Sequence, residues 1–299
     1  MMDSPHKTST TIQSGLREAR ALLSAQGIES SGLEAELLLR HVLEVRKEDL
    51  ILHADEELTQ RQEEHYRQLL QRRCRREPLA YITGRREFWS LDFTVNPKVL
   101  IPRPETEGVI ERMLELTEDG THEDILRVLD MGTGSGILAV VAAVEFPKAR
   151  VMAVDCSADA LAVARDNALR HQVVERIEFL LMDMMKPWNL KDNGPYDFIL
   201  SNPPYIPSQE IERLMPDIRD YEPRAALEGG PDGLAYYQHL IPHAFDYLKP
   251  GGHLIVEVGD GQVEPVAQKI QAHSGFEKIK IIQDLNGIGR VVSARRGHG

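Results

Sequence analysis

The residues with the plainest chemical potential are Asn202-Pro203-Pro204-Tyr205, directly after the apolar run Tyr196-Asp-Phe-Ile-Leu-Ser201. Two consecutive prolines have no N–H to give, so a strand ladder cannot continue past Asn202. The chain leaves the sheet there with a stiff backbone. An amide side chain, a bare backbone carbonyl and an aromatic ring then stand together at the mouth of the fold. Such a set suits gripping a flat NH2-bearing group, either an amide or an exocyclic amine. Turn chemistry alone offers a plainer account, a proline-rich turn with a packing tyrosine.

A second constellation is Asp130-Met131-Gly132-Thr133-Gly134-Ser135-Gly136, between an apolar strand and a helix that starts at Ile137. Glycines there let backbone approach a ligand and adopt positive φ. The spacing is Gly-x-Gly-x-Gly, and Ile137 breaks the dinucleotide pattern. A nucleoside-bearing cofactor other than a nicotinamide or flavin is expected. Asp155 ends the next strand, where a carboxylate can accept from both ribose hydroxyls. Its plainer role is a cap for the helix that follows Ser157. Asp183 and Met184 follow the third strand. There, Asp183 can accept from an adenine amine and Met184 can cover the ring, or the two can be a loop cap and a core residue. All these groups fall at the carboxyl ends of strands, where open α/β sheets bind ligands.

The elements that must carry them fall into two parts. Up to about Gly84 the pattern is helical. Ile12, Leu16, Ala19 and Leu23 share one face, Leu33, Leu37, Leu38 and Val42 another, and Thr59 with Gln62 reads as a capping box. Residues 67–86 carry seven arginines against Glu77 alone, which reads as a solvated face with an inter-domain contact or as a docking surface for an acidic or nucleic-acid-associated partner. Residues 1–86 are therefore expected to form a helical bundle and 87–101 a bridging β-hairpin. Residues 102–299 are expected to form the second, larger domain. From Leu126 onward strand and helix alternate, which predicts an α/β, doubly wound sheet, mostly parallel with an antiparallel end strand.

Composition narrows the class further. The 299 residues hold 35 basic and 47 acidic side chains, a net charge of −12, which disfavours a nucleic-acid backbone as the main partner. Cys74 and Cys156 are the only cysteines, too few for a disulfide framework or a four-ligand zinc site. The first ten residues have no apolar stretch resembling a leader. A cytoplasmic protein is the simplest expectation.

Together, strand–GTGSG–helix, the acidic end of the second strand and Asn-Pro-Pro-Tyr after the fourth resemble class I S-adenosyl-L-methionine-dependent methyltransferases. Further stretches narrow the resemblance to bacterial peptide chain release factor N(5)-glutamine methyltransferases. They are Glu77 to Gly84, Val99 to Glu107 with its Pro-Arg-Pro-Glu-Thr-Glu, Tyr221 to Leu234, and Asp284 to Arg290. The likeness spans nearly the whole chain. Met184 stands where some members have an aromatic residue.

The resemblance implies methyl transfer to the side-chain amide nitrogen of the glutamine in the Gly-Gly-Gln motif of class I release factors. It implies a substrate-recognition role for the helical bundle. It implies a monomer with no membrane, metal or direct nucleic-acid contact. The Asn202 side-chain oxygen and the Pro203 carbonyl would accept the two amide hydrogens, and Tyr205 would lie against the flat amide. Pro204, Arg103 and Glu105 would shape the substrate mouth, with bracing of the hairpin the plainer role for Arg103, Glu105 and Thr106. Glu222 and Arg224 are weaker candidates for substrate contact. Competing readings are adenine-amino methylation of a flipped base, a non-catalytic cofactor sensor, and a helical nucleic-acid adaptor.

Overall fold

The structure, a computed structural model, describes residues 10–117, 125–190 and 194–298. Residues 1–9, which carry most of the stretch read above as lacking a leader, lie outside the described residues. The chain divides into two compact units, with the break between Gly84 and Arg85. No helix among the described residues is long and apolar enough to cross a membrane.

The first unit contains α1 (Ile12–Ala25), α2 (Ser31–Leu43), α3 (Lys47–Leu52), α4 (Gln60–Cys74) and α5 (Leu79–Thr83). Helix α1 starts where the Thr11 side chain accepts the Ser14 N–H. Helix α4 starts at the reciprocal capping box of Thr59 and Gln62. Leu23, Leu38, Leu39, Tyr66, Leu69 and Leu70 form the core. The buried face of α2 is rotated from the one expected: Ala35, Leu38 and Leu39 are buried while Leu33 is exposed. Ala35 faces inward because the buried Tyr66 hydroxyl donates to its carbonyl at 2.8 Å, and a small side chain lets α4 come close.

The arginine stretch is less basic than its local count. Arg67 pairs with Glu63 and Glu64, Arg72 with Glu77, and Arg73 with Glu34 in a largely buried pair. Glu34, Glu63 and Glu64 all lie outside the stretch, so reading charges along it missed them.

The second unit opens with a hairpin of β1 (Arg85–Phe88) and β2 (Leu91–Thr94). It occupies 85–94 rather than 87–101. Trp89 and Ser90 both have φ of 55°, the double left-handed pair of a tight hairpin turn. Trp89 is held there because Glu107 accepts its backbone N–H at 2.9 Å and Glu145 its indole N–H at 2.7 Å. Strand β2 ends just before Asn96-Pro97, since Pro97 has no donor for a ladder. Helix α6 (Glu107–Thr117) follows a single tight turn over Pro104–Thr106.

The remaining elements are β3 (Arg127–Met131), α7 (Ile137–Glu145), β4 (Arg150–Asp155), α8 (Ala158–Arg170), β5 (Ile177–Leu181) and β6 (Tyr196–Ser201). After them come α9 (Pro216–Arg219), α10 (Ala235–Tyr247), β7 (Leu248–Glu257), α11 (Val263–Ala272), β8 (Phe276–Gln283) and β9 (Gly289–Arg296). Among the described residues, seven strands form one sheet in the order β5-β4-β3-β6-β7-β9-β8. All neighbours are parallel except β9, which is antiparallel to β7 and β8 and lies between them.

Alternation along β3 sends Val128 to a core with α6, α7 and α8, and Leu129 and Met131 to a core with α10 and α11. The sheet is thus covered on both faces, as its near-continuous apolar strands require. The chain winds outward from β3 to β5, then returns to β6 on the other side of β3. The crevice at that reversal lies at the carboxyl ends of β3 and β6. There the Ser201 hydroxyl donates to the Met131 carbonyl at 2.6 Å and locks the two strand ends together.

Candidate functional site

The glycine loop folds over the end of β4. Gly132 and Thr133 both donate their N–H to the Val154 carbonyl at 2.9 Å. Gly132, Gly134 and Gly136 have φ of 81°, 55° and 84°, so each needs the left-handed freedom of glycine. A Cβ on Gly136 would lie 3.0 Å from the Cβ of Ala164, so glycine here also lets α8 pack against the loop. Asn167, fully buried on α8, donates to the carbonyls of Ser135 and Thr94 and accepts the Thr94 N–H. One side chain therefore fixes both the loop and the hairpin. Nothing in the local sequence marks Asn167 for that task.

Asp155 is not the helix cap. Ser157 caps α8 by accepting the Ala160 N–H at 3.1 Å. The Asp155 carboxylate instead accepts the N–H groups of Gly134 and Ser157, each at 2.9 Å, and joins the glycine loop to the start of α8. Each carboxylate oxygen retains a further lone pair. Asp183 accepts the Met185 N–H at 2.9 Å, and Met184 is buried with its Cε 3.1 Å from where a Gly132 Cβ would stand.

These groups line a cavity of about 270 Å³, large enough for part of a nucleoside rather than for an ion. Gly132, Thr133, Gly134, Ser135, Asp155, Asp183 and Met184 line it, together with Arg103, Asn202 and Pro204. Gly136, Pro203, Tyr205 and Glu105 do not line it. Asp130 also faces it. Asp130 Oδ2 accepts from the Thr133 hydroxyl and the Ala139 N–H, while Oδ1 is buried with no hydrogen-bond partner among the described residues. Burial pushes this carboxyl up to about 7.

The Asn202-Pro203-Pro204-Tyr205 segment is cradled by the later Glu228-Gly229-Gly230 loop. Gly229 donates to the Ile206 carbonyl and Ile206 to the Leu227 carbonyl. A Cβ on Gly229 would stand 2.7 Å from the Pro204 carbonyl oxygen, and one on Gly233 would stand 2.3 Å from the Tyr205 oxygen. Only glycine fits either place. Gln262 completes the support by donating to the Tyr205 carbonyl at 2.9 Å.

The Asn202 amide nitrogen donates to the Thr106 hydroxyl oxygen at 3.1 Å. Thr106 in turn donates its proton to Glu257 Oε2 at 2.5 Å. Asn202 Oδ1 is buried with no partner among the described residues. The Tyr205 hydroxyl donates to Glu257 Oε1 at 3.4 Å, and the buried Tyr237 hydroxyl to the Glu257 main-chain carbonyl at 2.8 Å. Burial raises Glu257 to about 7. Burial also raises Tyr205, whose ring is half-buried beside β7. Sequence reasoning overlooked Glu257. Its signal is a carboxylate inside the apolar run Ile255-Val256-Glu257-Val258 of a central strand.

Arg103 pairs with Glu222, whose side chain is 1% exposed and whose other oxygen accepts the Ile101 N–H at 3.1 Å. Glu222 is thus buried in a brace between two loops. Arg224 is exposed and pairs with Glu228 at 2.7 Å. Glu105 is half-exposed, and its charge raises Glu257 further.

The fold matches solved methyltransferases at low identity. A methyltransferase from Pyrococcus furiosus aligns with a TM-score of 0.50 at 20% identity, over 70% of this chain and 91% of that one. The hMettl16 catalytic domain, solved with an RNA hairpin, aligns with a TM-score of 0.57 at 16% identity, over 76% and 81%. Fold and site define a class I S-adenosyl-L-methionine-dependent methyltransferase. Residues 15–84 match the PrmC N-terminal domain and residues 114–217 the methyltransferase small domain. A release factor glutamine methyltransferase of Geobacter sulfurreducens is 42% identical over 96% of this chain and 97% of its own length. The one from Koribacter versatilis is 38% identical over 96% and 99%. The chain belongs to the release factor glutamine methyltransferase family.

Proposed function

We propose that this protein methylates the side-chain amide nitrogen of the glutamine in the Gly-Gly-Gln motif of class I peptide chain release factors. The observation that carries this reading is Asn202, which lines the same cavity as the glycine loop and Asp155 and whose buried Oδ1 has no partner among the described residues. An acceptor without a donor, on a residue that lines this cavity, is suited to a substrate N–H.

The residues of the cavity fit the cofactor. The glycine backbone allows close approach, and Asp155 has lone pairs left for two ribose hydroxyls. Asp183 and Met184, which line the same cavity, would accept from an adenine amine and cover the ring face. Asp130 Oδ1 is an orphaned acceptor suited to a cationic amino group. When bound, S-adenosyl-L-methionine supplies a methyl group on a sulfonium, whose C–S electron pair stays on sulfur as the new N–C bond forms.

An amide nitrogen is a weak nucleophile, because its lone pair is delocalised into the carbonyl. Asn202 Oδ1 and the Pro203 carbonyl accept its two hydrogens and aim the nitrogen at the methyl group. The same acceptors stabilise the positive charge that develops on that nitrogen. The methylated nitrogen is strongly acidic and gives its extra proton to water, so no strong base is required. Tyr205, Pro204, Arg103 and Glu105 shape the mouth through which the glutamine loop enters.

The helical unit, expected over residues 1–86 and ending at Gly84, acts as the substrate-recognition domain, supported by the match of residues 15–84 to the PrmC N-terminal domain. The net charge of −12 supports a protein partner with no direct nucleic-acid contact. A release-factor substrate supports a cytoplasmic location. Incubation with labelled cofactor and purified release factor tests the reading. Label enters wild-type release factor but not a Gln→Ala variant of its Gly-Gly-Gln loop; equal labelling of both overturns it.

A further inference from the structure

We infer that Glu257 is a positioning residue that acts through Thr106 to decide which end of the Asn202 amide faces the substrate. This inference rests on the glutamine methylation reading above and adds to it a control on the acceptor group.

Hydrogen-bond polarity sets the orientation of the amide. A hydroxyl has one proton to give. Thr106 gives its proton to Glu257 Oε2 at 2.5 Å, and both side chains are buried. The Thr106 oxygen can then only accept from Asn202. Only the NH2 end of the amide can satisfy it, at the 3.1 Å observed. Oδ1 is thereby turned away from Thr106 and is buried without a partner among the described residues, on a residue that lines the cavity. Without an acceptor at 257, the Thr106 proton is released and can be given to Asn202 Oδ1. The amide then turns over and presents two N–H donors to a substrate NH2, a repulsive pairing.

The direction of the chain depends on Glu257 being ionised. A protonated carboxyl can donate to Thr106, and the whole sequence of donors reverses. Burial raises this carboxyl to about 7, and Glu105 opposes its ionisation while Arg290 on β9 favours it. Tyr205 donates to Oε1 and also favours the ionised form, whereas Tyr237 on α10 reaches only the main-chain carbonyl. Turnover therefore falls as pH drops below neutrality. Asp130 titrates in the same range but belongs to the cofactor side of the cavity, so its titration is read in cofactor affinity.

The test is the kcat–pH profile of release-factor methylation for wild type, T106V, T106S and E257Q, with cofactor Kd measured by calorimetry. T106V loses about 100-fold in kcat with cofactor Kd unchanged, a loss on the scale of one removed transition-state hydrogen bond. T106S, which keeps the hydroxyl, recovers most of that rate. Wild type shows an acid limb, while E257Q turns over more slowly and without that limb, because its neutral amide can face Thr106 either way. T106V at wild-type kcat, or an unchanged acid limb in E257Q, overturns the inference alone. A wild type inactive on release factors overturns the functional reading and this inference with it.

Discussion

The Thr106 hydroxyl oxygen accepts the Asn202 amide N–H at 3.1 Å, across 96 positions of chain. This contact joins the Pro-Arg-Pro-Glu-Thr-Glu segment to the Asn-Pro-Pro-Tyr segment, two stretches that look unrelated in sequence. It leaves the Asn202 oxygen as a buried acceptor without a partner among the described residues.

Loss of the Asn202 amide should therefore act on turnover and not on cofactor binding. N202A is expected to lower kcat about 100-fold, the scale of one lost oxyanion-hole donor. Calorimetry should find the cofactor Kd unchanged. A weakened Kd with normal kcat would reassign Asn202 to the cofactor.

Asp155 should show the opposite pattern. Its carboxylate anchors Gly134 and Ser157 and has lone pairs left for ribose hydroxyls. D155A is expected to weaken cofactor binding by about 10-fold or more, as befits hydrogen bonds to a charged group. Unchanged affinity would leave Asp155 as a loop anchor only.

Gly233 tests the cradle. A side chain there would meet the Tyr205 carbonyl oxygen at 2.3 Å, and its φ of 76° strains any L residue. G233A should displace the Asn-Pro-Pro-Tyr segment, lowering kcat while the glycine loop still binds cofactor. The fold should lose about 1–3 kcal/mol, the usual range for overpacking. Denaturant unfolding and kinetics on the same sample check both effects.

Arg103 separates bracing from substrate contact. Its removal leaves the buried Glu222 carboxylate without its charge partner. R103A should destabilise the fold by about 3 kcal/mol, as breaking a buried pair does. A full loss of activity with unchanged stability would mark Arg103 as a substrate contact instead.

Stability should depend on pH through Glu257 and Asp130, both raised to about 7 by burial. Unfolded carboxyls titrate near 4. Between those values the folded state holds protons that the unfolded state has lost. Stability is therefore greatest below the unfolded value and falls as pH rises through about 7. Each group contributes a few kcal/mol to that fall. Denaturant unfolding from acid to mildly alkaline pH should show a smaller drop for E257Q than for wild type. Ionised Glu257 thus favours turnover while it lowers stability, so the two profiles should run in opposite directions.

Much of this was legible before any coordinates. The strand period and the glycine loop mark the sheet and its switch point, because alternating burial and positive φ leave direct traces in residue type. The double proline marks where β6 must end. Partners brought together by folding leave no such trace. The hydroxyl that orients Asn202, the carboxylate behind it and the Asn167 bridge from α8 to the hairpin all depend on long-range contacts. The same holds for Arg73 on α4, whose partner Glu34 lies two helices earlier, on α2. The rotated face of α2 and the tight turn at Trp89 reflect tertiary packing that overrides local pattern.

The most direct measurement is tandem mass spectrometry of the Gly-Gly-Gln peptide of a class I release factor after reaction with wild type or N202A at saturating cofactor. The site described here predicts one added methyl on the glutamine side-chain nitrogen with wild type and a rate about 100-fold lower with N202A. Methyl found on any other residue, or equal rates for the two proteins, would contradict it.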